Sequence, residues 1–120
     1  MPWRSEEIKL KAICDFEQAE AEGRVHTSFH DDANRVGCVL HHLLYSCGLT
    51  VAEYLTNKHP SPDPFAAVLG LDPSERSRVV FAFMTGVDHQ HGVETALSVM
   101  KEIPVATLSR MIRVPPEEVY

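Results

Sequence analysis

Apolar residues recur at helical spacing along most of the chain, and the clearest pattern lies in residues 33–47. There the apolar side chains fall on one continuous stripe, which is formed by Val36, Val39, Leu40, Leu43, Leu44 and Cys47. Such a stripe is typical of the core-facing side of an amphipathic helix. The pattern therefore predicts a central helix at 33–47, which Gly48 ends.

The first predicted helix spans residues 5–22 and has two apolar faces. Ser5 is a favourable N-cap, and Gly23 follows the last helical residue. One face carries Ile8, Ala12, Phe16 and Ala19, and a nearly opposite face carries Leu10, Cys14 and Ala21. We therefore expect this helix to pack against two neighbours.

Caps, prolines and glycines divide the rest of the chain into shorter helices. A capping box at Thr50 and Glu53 begins a helix to about residue 57, and Asp-Pro pairs begin helices at 64–69 and 73–85. The helix at 73–85 is predicted to turn four apolar residues inward, namely Val79, Val80, Phe83 and Met84. A polar turn at 88–92, with Gly92 as a helix stop, then precedes helices at 93–102 and 105–112.

The order of these elements predicts an all-α fold, because no segment has the alternating pattern of a strand. We expect a compact, irregular bundle of six or seven helices with short connections. Residues 1–114 are assigned to a single domain, and residues 115–120 to an extended C-terminal tail. A length of 120 residues with 44% apolar positions is enough for one domain with a core.

Composition favours a cytoplasmic protein that does not span a membrane. No apolar run approaches the roughly 20 residues of a membrane span, and the first residues lack the apolar segment of a signal peptide. The three cysteines are not in CxxC spacing, which agrees with a reducing compartment.

Net charge points to a protein partner. Seventeen acidic and eleven basic residues give −6 at pH 7, which disfavours nucleic acid as a partner because phosphate contacts need a concentrated basic face. The acidic residues least compensated by neighbours in sequence lie on the first helix, at Asp15, Glu17, Glu20 and Glu22. We expect them to face a partner with a basic surface. Aromatic residues off the main apolar stripes are further contact candidates, namely Phe81, Tyr54, Trp3 and Tyr120.

The chain is rich in histidine, with seven residues. The strongest candidate for a functional cluster lies on the predicted central helix. Cys38 and His42 are four residues apart, as are His41 and Tyr45, so all four share the side away from the apolar stripe. A thiol beside imidazoles is suited to zinc binding or to nucleophilic catalysis. Further zinc ligands are available in the polar turn, at Asp88, His89 and His91. The alternative interpretation is structural: the central helix is covered on both sides, and these residues of medium polarity form its second buried face.

A second cluster precedes that helix and contains His26, His30, Asp31 and Asp32. Imidazoles and carboxylates in this arrangement are a candidate ligand or metal site, but the aspartates are equally suited to capping the next helix.

No nucleotide-binding, hydrolase or zincin motif is present, so function follows by elimination. We expect a non-enzymatic protein-binding module: an inhibitor, adaptor or antagonist of another protein, for example a nucleic-acid-binding one. Accessory proteins of phages and mobile elements often have this small, acidic, motif-poor character. One alternative is a metal- or small-ligand-binding protein, with zinc as the cofactor. Another is a helix-turn-helix DNA-binding regulator that uses Arg76 and Arg78. The oligomeric state is left open.

Overall fold

Five α-helices and one π-helical turn form most of the described part of the chain, which comprises residues 3–26, 29–56, 63–85 and 89–105 of a computed structural model. The elements are α1 (Glu6–Ala21), α2 (Val39–Ser46), α3 (Val51–Leu55), the π turn (Phe65–Leu69), α4 (Pro73–Met84) and α5 (His89–Glu102). Within these residues, β pairing is limited to isolated bridges. The all-α class is therefore confirmed. The predicted helix at 105–112, except for its first residue, and the tail at 115–120 lie outside the described residues.

Helix starts follow the caps that the sequence supplies. Ser5 Oγ accepts a hydrogen bond from the backbone N–H of Ile8 at 3.1 Å, and Asp72 Oδ1 accepts one from Glu75 at 2.9 Å. The capping box at the start of α3 is also present. Each cap satisfies backbone donors that the first helical turn leaves without a partner.

The core lies where α1, α2, α4 and α5 meet. Its largest fully buried side chains are Trp3, Phe16, Phe65, Leu43, Leu44, Leu69, Leu71, Met100, Ile103, Val25, Val39 and Val79. The apolar faces of α2 and α5 supply several of them, because positions three and four apart share one side of a helix. None of the helices in the described part of the chain is long and apolar enough to span a lipid bilayer.

The central helix begins at Val39 and not at residue 33, because residues 31–36 form a tight hairpin turn. Asp31 and Val36 exchange two backbone hydrogen bonds of 2.9 Å. The Asp31 carboxylate also accepts bonds from the backbone N–H of Ala33, at 3.1 Å, and from the amide side chain of Asn34, at 2.7 Å. These local bonds offer the backbone an alternative to the helix. Val36 therefore leaves the predicted helical stripe.

The prediction of a polar turn at 88–92 is wrong for the residues that the structure describes. Helix α5 begins at His89, so Gly92 lies inside the helix and is not its stop. A Cβ atom at Gly92 would collide with the backbone carbonyl of Phe83 on α4. Glycine is needed here for close contact between two helices, not for a turn. Asp88 lies outside the described residues.

The second apolar face of α1 and one residue of the predicted inward face of α4 are exposed. On α1 the second apolar face is open to solvent, with Leu10 51% exposed and both Cys14 and Ala21 exposed. Helix α1 therefore buries one face only. On α4, Val79 and Phe83 are buried as predicted, but Met84 is 63% exposed.

Trp3 is fully buried, which corrects its prediction as a surface contact. Its indole N–H donates to the carbonyl of Met100 at 3.1 Å, and its backbone N–H donates to Pro104 at 2.9 Å. The next backbone N–H, that of Arg4, donates to Leu69 at 2.7 Å. The segment before α1 is thus fixed to the end of α5 and to the π turn.

Candidate functional site

A polar cleft of about 500 Å³ lies between α1, the 31–36 hairpin and α2. Its lining residues are Asp15, Gln18, Arg24, Ala33, Asn34, Arg35, His42 and Tyr45. Clefts of this size are typical of small-molecule sites, although most such sites are more apolar. Asp15 and His42 are predicted site residues, whereas both arginines and both amides are not.

Arg35 projects into this cleft from a backbone conformation that side chains rarely adopt. Its φ angle is 54°, in the left-handed region, where it is the only non-glycine residue among those described. The guanidinium carbon lies 5.5 Å from the centre of the Tyr45 ring, a cation–π distance. Burial, followed by the nearby Asp32 charge, raises the pKa of Tyr45 to about 12, so its hydroxyl stays protonated.

Arg24 also lines the cleft and connects three parts of the site. Its Nε donates to Glu22 at 2.7 Å, and its Nη1 donates to the backbone carbonyl of Arg35 at 3.1 Å. Its own carbonyl accepts from the backbone of Gly37 and from His42 Nε2, at 3.0 and 2.9 Å. Since a carbonyl only accepts, His42 must carry its proton on Nε2.

His42 is a buried structural residue in this arrangement. It is 4% exposed, and its ring meets those of Phe16 and Tyr45 edge to face, with centroids 5.9 and 5.4 Å apart. Burial lowers the pKa of His42, so the neutral ring is favoured. With Nε2 committed to Arg24, that nitrogen is not available to activate the Cys38 thiol.

Beside the cleft, Asp32 is the centre of a second polar group. His30 Nε2 lies 2.8 Å from its carboxylate, and the Tyr45 hydroxyl donates to it at 3.2 Å. The same carboxylate accepts from the backbone N–H groups of Val51 and Ala52, both at 3.2 Å, and so caps α3. Asp32 therefore joins the hairpin, α2 and α3.

His41 packs against this group, with its ring centroid 4.4 Å from that of His30. Burial lowers the pKa of His41, and the neighbouring His30 acts in the same direction. Its Nδ1 atom is buried without a hydrogen-bond partner and lies against Gly37. The structure thus brings together His41 of the first predicted cluster with His30 and Asp32 of the second.

The predicted zinc ligands do not converge within the described residues. Cys38 is the N-cap residue of α2 and is half-buried, and His91 is exposed on α5. No group of three or more His, Cys, Asp or Glu side chains in the described ranges is arranged to hold a metal ion. Residues two apart in a helix do not share a face, so a helical backbone at 89–91 is a poor arrangement for paired ligands. Asp88 and the side chain of His89 lie outside the described parts.

The second predicted cluster separates into two parts. His26 is exposed, and its ring packs on that of Phe29 with centroids 5.9 Å apart. Asp31 stabilises the hairpin turn through the bonds to Ala33 and Asn34 given above. The prediction that these aspartates cap the next helix is therefore wrong, because α2 has no side-chain cap, Asp31 holds the hairpin turn and Asp32 caps α3.

Three of the four acidic residues predicted to face a partner have a cation of the same chain beside them. Asp15 pairs with Lys11 at 2.7 Å, and Glu22 pairs with Arg24 at the same distance. Glu17 lies 3.6 Å from Lys101. Glu20 is half-buried at the same end of the helix. The sequence pattern missed this compensation, because two of the three cations come from outside the helix.

The aromatic candidates differ in their exposure. Phe81 is 70% exposed on α4, whereas Tyr54 is half-buried and meets Phe65 edge to face at 6.2 Å. Arg76, a predicted DNA contact, lies with its guanidinium carbon 5.1 Å from the centre of the Phe65 ring. Arg78 lies 3.1 Å from Glu75 and 3.9 Å from Glu102.

No protein-family model matches this chain, and neither the curated proteins nor the solved structures include a significant match.

Proposed function

We propose that this protein is a non-enzymatic binding module that docks on another protein through one face of α4. The observation that carries the proposal is the pair Phe81 and Met84, which are 70% and 63% exposed. They lie three residues apart on one helix and therefore form a continuous apolar surface. The other large exposed apolar residues in the described ranges, Leu10, Phe29 and Leu55, lie on separate elements.

An exposed aromatic ring beside a methionine is a favourable centre for a protein interface. Aromatic residues are enriched among the residues that contribute most to binding, and methionine adapts its shape to different partners. Burial of two such side chains is worth roughly 1.5–3 kcal/mol each before the costs of association.

Charge around this surface suggests what the partner presents. Arg78 lies one turn before Phe81 and is paired with two carboxylates, those of Glu75 and Glu102. The whole chain carries −6. We infer a partner with an apolar pocket bordered by basic residues, because complementary charge accelerates encounter and fixes orientation. An inhibitor, adaptor or antagonist of a basic protein would bind a partner surface of this kind.

The structure gives less support to the alternatives. Arg76 and Arg78 already contact residues of their own chain, so neither projects freely toward DNA phosphates. For the zinc alternative, the described residues contain no converging ligand group. The three cysteines are free, which is consistent with our prediction of a cytoplasmic protein.

The test is affinity capture from cells of the native host, followed by binding measurements with the purified partner. The double variant Phe81→Ser with Met84→Ser is expected to weaken binding at least tenfold. A matched control is Leu55→Ser, which removes an equally exposed apolar side chain from α3 and should bind as the unchanged protein does. Circular dichroism verifies that each variant is folded.

Two results would contradict the proposal. One is equal capture of the partner by the double variant. The other is an association rate that does not change between low and moderate salt, which would remove the part of the proposal that invokes a basic partner.

A further inference from the structure

We propose that the polar cleft between α1, the hairpin and α2 binds a small molecule through an oxyanion, either a phosphate or a carboxylate group. The binding groups are the guanidinium groups of Arg24 and Arg35, which line the cleft together. This inference concerns a different surface from the α4 face and does not depend on the proposed protein partner.

Arg35 supplies the first half of the site as a cation without a counterion. In the described part of the chain its side chain has no hydrogen bond and no carboxylate within 4.0 Å, and its one aromatic contact is with Tyr45. All of its N–H donors therefore remain available. Guanidinium donors form a planar fork that matches the two oxygens of a carboxylate or a phosphate.

Arg35 is the last loop residue of the hairpin turn and adopts a left-handed backbone conformation there. A φ of 54° is a conformation that glycine or asparagine adopts more readily, and Asn34 is the preceding residue. Strained residues persist where surrounding contacts hold them, and they are frequent at binding sites. Here the Arg35 carbonyl accepts from Arg24, so the strained residue is fixed to the second cation.

Arg24 supplies the second half from a rigid position. It is only 24% exposed, and its Nε and Nη1 atoms are held by Glu22 and by the Arg35 carbonyl. Its Nη2 atom has no hydrogen-bond partner among the described residues, so it is the donor available to a ligand. A donor held in place loses little conformational entropy on binding.

Acidic groups near the cleft are already engaged. Asp15 lines it, but its carboxylate pairs with Lys11 at 2.7 Å and accepts from Ser46 at 3.2 Å. Glu22 pairs with Arg24. The overall charge of −6 is spread over the molecule, and charges beyond about 8 Å are largely screened at physiological ionic strength. The attraction for an oxyanion is therefore local, and it comes from the Arg35 guanidinium together with the Nη2 donor of Arg24.

The test is a titration followed by two-dimensional amide NMR. The two probes are ribose 5-phosphate, which carries a phosphate, and citrate, which carries carboxylates. Sodium chloride at matched ionic strength is the reference. We expect saturable shifts centred on Arg24, Asn34 and Arg35 with at least one probe. The probe that binds more tightly identifies the preferred oxyanion.

Two substitutions at one position separate binding from stability. Arg35→Gln removes the charge but keeps a non-glycine residue in the left-handed conformation. It should weaken binding at least tenfold with little change in the urea midpoint. Arg35→Gly removes the charge and relieves the left-handed conformation, so it should lose binding and raise the midpoint. Lys101→Gln, which removes an exposed cation on α5 outside the cleft, should bind the probe normally.

The proposal is overturned if Arg35→Gln binds as the unchanged protein does, or if sodium chloride reproduces the shifts. The double variant of Phe81 and Met84 should bind both probes normally. Failure of the α4 proposal and failure of this one are therefore distinguishable.

Discussion

Gly92 shows how one residue sets the distance between two helices. It lies in α5 directly against the carbonyl of Phe83 in α4, and a Cβ atom there would have no space. A backbone carbonyl cannot turn aside as a flexible side chain can, so any larger residue must push the helices apart.

Gly92→Ala is expected to destabilise the fold despite the higher helix propensity of alanine. The propensity gain is about 1 kcal/mol, whereas overpacking costs about 1–3 kcal/mol, so we expect a net loss of up to about 2 kcal/mol in the free energy of unfolding. Urea unfolding measures it. Ser98→Ala on the exposed side of the same helix is the control and should be neutral or slightly stabilising. A stabilised Gly92→Ala variant would show that the helices have room to separate.

The structural roles of some residues could be predicted from the sequence and those of others could not, for physical reasons. Ser5 and Asp72 were predictable as caps, because capping depends on three or four neighbours in sequence. The role of Gly92 was not predictable, because glycine is needed there to make room for a backbone carbonyl on another helix. Arg35 was missed as a cleft residue, since its position follows from the hairpin that Asp31 builds.

At the scale of elements, α3 depends on a residue that lies about twenty positions before it. The Asp32 carboxylate accepts from the first two backbone N–H groups of α3, those of Val51 and Ala52. It also accepts from Tyr45 on α2. A helix of five residues has little stability of its own, so this external cap holds it in place.

Asp32→Ala should release α3 from the hairpin. Hydrogen bonds to a charged group are worth about 1.5–3 kcal/mol, and we expect a loss of about 2 kcal/mol in the free energy of unfolding. Amide hydrogen exchange should accelerate most at Val51 and Ala52. The Glu53 amide is the internal control, because Thr50 still caps it. Equal acceleration at all three amides would indicate general loosening and contradict a specific capping role.

Helices with a clear apolar stripe were predicted well, but their junctions were not. The pattern placed the buried face of α2 correctly, because Val39 and Leu43 are four residues apart, as are Leu40 and Leu44. It could not choose between a helix and a turn at residues 31–36, since the aspartates there suit both. The candidate cleft is formed at this junction and was therefore missed.

At the scale of the whole molecule, two histidines link stability to pH. His41 and His42 both have pKa values lowered from 6.5, mainly because they are buried. The unfolded chain takes up these protons near pH 6.5, and the folded chain resists them until lower pH. Their contribution is thus fully present above pH 6.5 and is lost as the pH falls toward the folded pKa values.

We therefore expect the urea midpoint to be lower at pH 5.5 than at pH 7.5. The lowered pKa of Asp32, where bonds from His30 and the α3 backbone outweigh the effect of burial, acts only at more acidic pH. His41→Gln takes up no proton in this range and should reduce the difference between the two midpoints. NMR titration of the two rings checks the assignment directly. A midpoint that rises as the pH falls would contradict the prediction.

The contact of Trp3 with Met100 has a consequence for the order in which the molecule folds. The two residues are 97 positions apart in the chain, so closing this contact is entropically costly and slow compared with forming a single helix. During synthesis Trp3 leaves the ribosome long before Met100 exists. The Trp3 indole therefore has no partner at that stage, and the core can form completely only after the end of α5 has been synthesised. Completion of the fold is thus a step that follows the translation of α5.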